Sequence, residues 1–103
     1  MRTRADFHAK LVEALGSEYV YFQPPENLKL YTGNKIIYSR EELNDQDADN
    51  TQYIRHTKYS VTLVSKDPDW GLVQEFPLLF DHCRHDRHYV SDNLNHDVYI
   101  IYY

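Results

Sequence analysis

Six consecutive residues, Val98 to Tyr103 (VYIIYY), are all aromatic or β-branched. On a strand, Tyr99, Ile101 and Tyr103 face one way while Val98, Ile100 and Tyr102 face the other. A strand apolar on both sides must be covered on both sides, so it belongs inside a sheet, and a neighbouring subunit is one candidate cover. The run is far too short to span a bilayer. Upstream, Phe80 to Val90 reads as a polar strand, and Ser91-Asp92-Asn93 supplies the turn residues of a hairpin.

Thr3 caps a helix with Asp6 in the capping-box position, and Phe7, Leu11 and Leu15, with Val12 beside them, form one apolar stripe. Gly16 suits the left-handed position that closes a helix. Tyr19 to Phe22 is a strand stopped by Gln23 and the Pro24-Pro25 pair, which removes ladder donors. Glu26 to Asn34 reads as a loop with a Gly33-Asn34 turn, and Lys35 to Ser39 (KIIYS) as a short strand. Arg40 to Asn50, rich in Asp, Asn and Gln, reads as an exposed excursion.

Tyr53 to Val64 alternates: Tyr53, Thr57, Tyr59, Val61 and Leu63 share one face, and His56, Lys58, Ser60 and Thr62 a wet one. Lys66-Asp67-Pro68-Asp69 starts a second helix, with Trp70, Val73 and Phe76 on one side and Pro77 as its end. The order α-β-β-β-α-β-β predicts one small α+β domain over residues 1–103. Its sheet has about five mostly antiparallel strands packed with two helices.

Composition excludes several roles. Net charge is −5 and the basic residues are scattered, so phosphate neutralisation is not the expected main job. One cysteine forms no internal disulfide and no CxxC pair, which fits assembly in a cytosol. The opening MRTRADFHAKLVEALG has no apolar core of the signal-peptide kind. Ten tyrosines suit half-buried strands and subunit contacts, because each joins an apolar body to a wet tip.

His82, Cys83, His85, His88 and His96, with Asp81, Asp86 and Asp97, offer zinc-ligand chemistry. On a regular strand His82 and His88 share one face while Cys83 and His85 share the other, and His96 lies across the turn. No HExxH helix or paired CxxC accompanies them. The expected role is cross-strand polar pairing; Asp97 or Asp92 beside His88 or His96 would favour the charged imidazole. Cys83 and His82 point apart, and three glycines are too few for an oxyanion or phosphate loop. No catalytic residue, metal ligand or cofactor is therefore expected; a zinc module or small hydrolase built on these histidines is the alternative.

The segments YVYFQPPENLKL (19–30), IIYS (36–39), DADNTQY (47–53), the Tyr59–Val64 strand, SKDPD (65–69) and DRHYVSDNLNHDVYIIYY (86–103) form a pattern that runs from Tyr19 to Tyr103. The chain resembles a family of small proteins from the head-to-tail region of long-tailed phages, the tail terminator, tail completion or tail-to-head joining proteins. Its most specific pieces are Tyr21-Phe22-Gln23-Pro24-Pro25 and Asp92-Asn93-Leu94-Asn95-His96-Asp97. One departure is Tyr31-Thr32-Gly33-Asn34-Lys35, where the pattern has Tyr-Pro leading directly into the strand.

The resemblance implies a virion structural protein, not an enzyme. Its copies would form a ring, sixfold in expectation, that caps the tail tube and joins it to the head. The partners implied are other copies, the tail tube protein and the head–tail connector proteins, with DNA passing through the lumen without specific binding; a head-completion connector is the neighbouring role. Rings need two different patches that fit each other. Candidate interface residues are Tyr21, Phe22, Gln23, Pro24 and Pro25 in the loop, Asp92, Asn93 and Asn95 at the hairpin turn, and Tyr99, Ile101 and Tyr103 on the last strand. An acidic balance suits a lumen through which phosphates slide, and Glu41 to Asp49 is a candidate for that lumen or for the docking face.

Overall fold

The computed structural model describes residues 3–44 and 56–103, with residues 42–44 and 56 described in backbone only. Readings that fall on residues 45–55, among them Tyr53 and the far part of the acidic excursion, lie outside the described residues.

Helix α1 (Arg4–Leu15) begins where Thr3 and Asp6 exchange capping-box bonds and ends at Gly16, φ 79°, whose N–H closes on the Val12 carbonyl. Strands β1 (Val20–Phe22), β2 (Lys35–Asn44) and β3 (His56–Ser65) follow. A short helix α2 (Leu72–Glu75) runs into a 3₁₀ turn, Phe76–Leu79. Strands β4 (Cys83–Ser91) and β5 (Leu94–Tyr102) complete an α+β domain. The sheet order is β1-β2-β3-β5-β4; β1 runs parallel to β2 and every other pairing is antiparallel. The Gln23–Asn34 connection has the length that a parallel return requires.

Three boundaries depart from the sequence reading. Strand β2 continues past Ser39 to Asn44, because pairing with β3 satisfies its backbone whatever the polarity of its side chains; it carries an irregularity between Arg40 and Glu42. The second helix shrinks to one turn, and Pro77 sits inside the 3₁₀ turn instead of ending the helix, so that Phe76 and Phe80 can both enter the core. Strand β4 begins at Cys83, not Phe80, since Phe80 is a core residue of the turn before it.

Both helices pack on one sheet face. The Phe7 ring of α1 stacks on Tyr59 (4.3 Å, 14°) and meets Tyr38 edge-on at 5.5 Å, while Phe76 packs on Tyr99 at 4.9 Å. Cross-strand register puts Ile36, Tyr38, Tyr59, Val61, Leu63, Tyr99 and Ile101 together on this face, and all are buried. Burying a side chain such as Phe7 or Leu11 contributes about 2 kcal/mol each, which makes this layer the main source of stability. No helix among the described residues is long and apolar enough to cross a membrane.

Candidate functional site

A bulge decides where the histidines of β4 point. Cys83 lies opposite Ile101 and His85 opposite Tyr99, but Arg87, not Asp86, lies opposite Val98. The extra residue shifts the alternation by one, so His88 joins Cys83 and His85 on the helical face and leaves the side of His82. His85 Nε2 lies 3.0 Å from Asp97 Oδ1, and His88 Nε2 lies 3.2 Å from Asn95 Oδ1. The carboxylate of Asp97 is thus taken by His85, not by the His88 or His96 partners expected. His96 crosses to the other face and stacks on Tyr89 (4.6 Å, 9°).

Among the described residues, no three His, Cys, Asp or Glu side chains gather where they could hold a metal ion. Burial pushes the Cys83 thiol up to about 11, which keeps it protonated and poorly nucleophilic at neutral pH. The polar groups of the hairpin tie it to the sheet instead. Asn95 Nδ2 donates to the Ser65 and Lys66 carbonyls at 3.4 Å, and Ser65 Oγ donates to Asn34 Oδ1 at 2.7 Å.

The expected interface residues divide three ways. Tyr99 and Ile101 have 0 % exposure, and Tyr103 packs its ring 4.9 Å from Phe7. The reading that Tyr99 and Ile101 meet a partner is therefore corrected: the chain's own helices cover them, and a partner has nothing of them to touch. Tyr21 to Pro25 lie along the β1 edge. The Tyr21 hydroxyl accepts from the Tyr31 amide, Phe22 lies under the Arg4 guanidinium at 4.3 Å, and Gln23 Oε1 accepts from the Arg40 amide. Pro24 is half-buried and Pro25 exposed. Asp92 and Asn93 (φ 54° and 64°) form the exposed two-residue turn of the β4–β5 hairpin, at the opposite edge of the sheet.

The sequence reading gave the alternation of β3 and of β5 but did not join them, or the residues of β1, β2 and β4, into one sheet face. The face away from the helices carries Tyr21 of β1; Lys35, Ile37 and Ser39 of β2; Lys58, Ser60, Thr62 and Val64 of β3; His96, Val98, Ile100 and Tyr102 of β5; and Arg84, Arg87 and Tyr89 of β4. Val64, Val98 and Ile100 are shielded within the chain, while Ile37, Ser39, Ser60, Thr62 and Tyr102 are only half-buried. Ser60 stands directly across from Ile100, which stands across from Arg84; Thr62, Val98 and Arg87 form the next row. What this face offers to solvent is the half-buried Ile37, Thr62 and Tyr102 and the exposed Arg84, Arg87 and Tyr89 of its β4 edge, a mixture of aromatic, apolar and arginine side chains of the kind found in protein contacts. A shallow depression of about 210 Å³, lined by His82, Cys83, Arg84, Ile100 and Tyr102, opens at its end.

A second hollow of about 380 Å³ lies beyond the end of α1, lined by Leu15, Ser17, Tyr19, Tyr31, Asn34 and Trp70. Tyr31 stacks on Tyr19 at 3.8 Å, and Gly33 makes that possible: a Cβ there would stand 2.5 Å from the Tyr31 ring. The glycine of the departing Tyr31–Lys35 segment thus has a packing reason.

No known protein family, curated protein or solved structure matches this chain.

Proposed function

We propose that this protein is a structural subunit of a phage virion, forming a ring, sixfold in expectation, that caps the tail tube and joins it to the head. The observation that supports this reading best is the sheet face away from the helices, which carries half-buried Ile37 and Tyr102 and exposed Arg84, Arg87 and Tyr89. Such a face suits contact with another macromolecule better than chemistry on a small one. The sequence resemblance supplies the tail–head context. The loop from Tyr21 to Pro25 and the turn at Asp92-Asn93 lie at opposite edges of the sheet, which makes them two separate patches available for head-to-tail contacts between identical copies. Partners on this reading are other copies, the tube below and the connector above, with DNA passing unbound through the lumen.

Size-exclusion chromatography with light scattering, at two protein concentrations and with zinc measured in the same fractions, tests it. A metal-free species near six copies is the expected result. A monomer at both concentrations holding one zinc per chain would replace the ring reading with a metal module.

A further inference from the structure

We propose that the hollow beyond the end of α1 binds a neutral sugar ring, with Tyr19 and Tyr31 as its apolar platform and Asn34 as its polar anchor. The site needs no second copy, so it is independent of the ring reading above.

Tyr31 is 43 % exposed, yet it is held in place. Its ring stacks on Tyr19 at 3.8 Å and 9°, its amide donates to the Tyr21 hydroxyl at 3.1 Å, and its edge lies so close to position 33 that only a glycine leaves it room. An exposed ring fixed in this way gives up little freedom when a ligand settles on it. A stacked pair leaves each ring one open side, which is a flat surface and not a cage of rings around a point. Flat aromatic surfaces suit the C–H side of a pyranose, whereas an ammonium group is better enclosed by several rings.

Asn34 is fixed as well. Ser65, only 3 % exposed, donates its hydroxyl to Asn34 Oδ1 at 2.7 Å, which sets the orientation of the amide. Both Nδ2 hydrogens of Asn34, the Trp70 indole N–H and the Tyr19 and Tyr31 hydroxyls are without partners among the described residues. The hollow, about 380 Å³ in volume, lies within the range of about 300–1,000 Å³ usual for small-ligand sites.

Among the described residues, none of those lining the hollow carries a charge; Glu18, Lys35 and Asp69, beside them in the chain, are not part of its wall. An ionised ligand would lie there without a counter-charge. The hydroxyls of a sugar can accept from Asn34 and Trp70 and donate to the tyrosine and serine oxygens. An adenine would have to compete with Ser65 for Asn34 Oδ1.

Trp70 is the one tryptophan of the chain and lines the hollow, so its fluorescence and its indole N–H resonance report occupancy directly. The full chain is titrated with glucose, galactose and N-acetylglucosamine, and separately with choline and with adenosine. A saturable change at Trp70 with at least one sugar, in the millimolar range, and none with choline or adenosine is the expected result. Tyr31→Ala and Gly33→Ala should each weaken sugar binding by about tenfold or more. Asn34→Asp keeps the oxygen that Ser65 donates to and removes the two Nδ2 donors, so it should weaken binding while circular dichroism shows the fold intact.

Saturation by choline alone would overturn the proposal in favour of a cation site, and by adenosine alone in favour of a base-stacking one. Sugar binding that leaves Trp70 unchanged, or that survives both Tyr31→Ala and Asn34→Asp, would lie elsewhere on the molecule and overturn it. An equal response to every probe, or no response to any, would overturn it as well.

Discussion

Tyr99, expected from the sequence at a subunit contact, has its ring fully inside the core and its hydroxyl donating to the Val73 carbonyl at 2.6 Å. Burial, and then the nearby Asp97 carboxylate, hold that hydroxyl well above the ordinary tyrosine range, so it stays a donor. Tyr99→Phe leaves the carbonyl without this partner and is expected to cost about 1–2 kcal/mol in urea unfolding. It should leave subunit association unchanged, because no partner reaches the ring; weakened association at unchanged stability would return Tyr99 to the interface. His8 makes a second residue-scale case. Its Nδ1 lies 2.7 Å from the Tyr38 hydroxyl, and burial first, then the Arg4 charge, hold the imidazole below its ordinary 6.5. The unfolded chain therefore takes up this proton before the folded one does. Stability from this site is complete above 6.5 and falls as the pH drops from there toward the lowered folded value. Unfolding curves of His8→Gln between about pH 5 and 7.5 should lack that component, whereas an identical pH slope in both proteins would contradict it.

At the scale of elements, what was legible was local. Helix α1 is written into Thr3, Asp6, the Phe7–Leu11 stripe and Gly16, and the wet face of β3 follows from strict alternation through Ser60 and Thr62. The bulge in β4 was not legible, because Asp86 looks like any other polar residue of the strand until its partner strand fixes which residue is extra. It alone moved His88 to the other face. The shortening of α2 was hidden for a similar reason: the tighter turn exists to bring Phe76 and Phe80 into one core, which no window of sequence contains. The bulge also guards an edge. Strand β4 is paired on one side only, and its bulge with Arg84, Asp86 and Arg87 keeps another strand from adding to it. Deleting Asp86 should remove the bulge while leaving every other residue of β4 on its present face, and raise aggregation in light scattering on mild heating. At the turn, Asn93 adopts φ 64° and makes the Asp92-Asn93 pair a tight hairpin loop. Asn93→Gly should stabilise the chain by a few tenths of a kcal/mol up to about 1 in thermal unfolding, and loss of stability would mean the Asn side chain has a partner of its own.

On the scale of the whole molecule, the net charge of −5 hides an uneven distribution. Pairing brings Lys58, Arg84 and Arg87 onto the sheet face away from the helices, with Asp86 contacting both arginines and Glu42 in register with Lys58. Reading charge along the sequence showed only scattered arginines, because strand pairing is what brings Arg84, Arg87 and Lys58 onto one surface. The arginine heads are more than half exposed, so their attraction to carboxylates of another copy acts through solvent and is open to screening. The apolar share of a contact between copies, to which the exposed Leu78 is the candidate contributor, is not screened. Association should therefore weaken, but not vanish, as salt rises from about 0.05 M to about 1 M, where the Debye length falls to roughly 3 Å. The Arg84→Glu, Arg87→Glu protein should associate weakly at every salt concentration, and Leu78→Asp should remove what remains at high salt. Sedimentation velocity across the salt series reads all three proteins directly. Association that grows stronger with salt would mean the contact is apolar throughout and that Arg84 and Arg87 lie outside it.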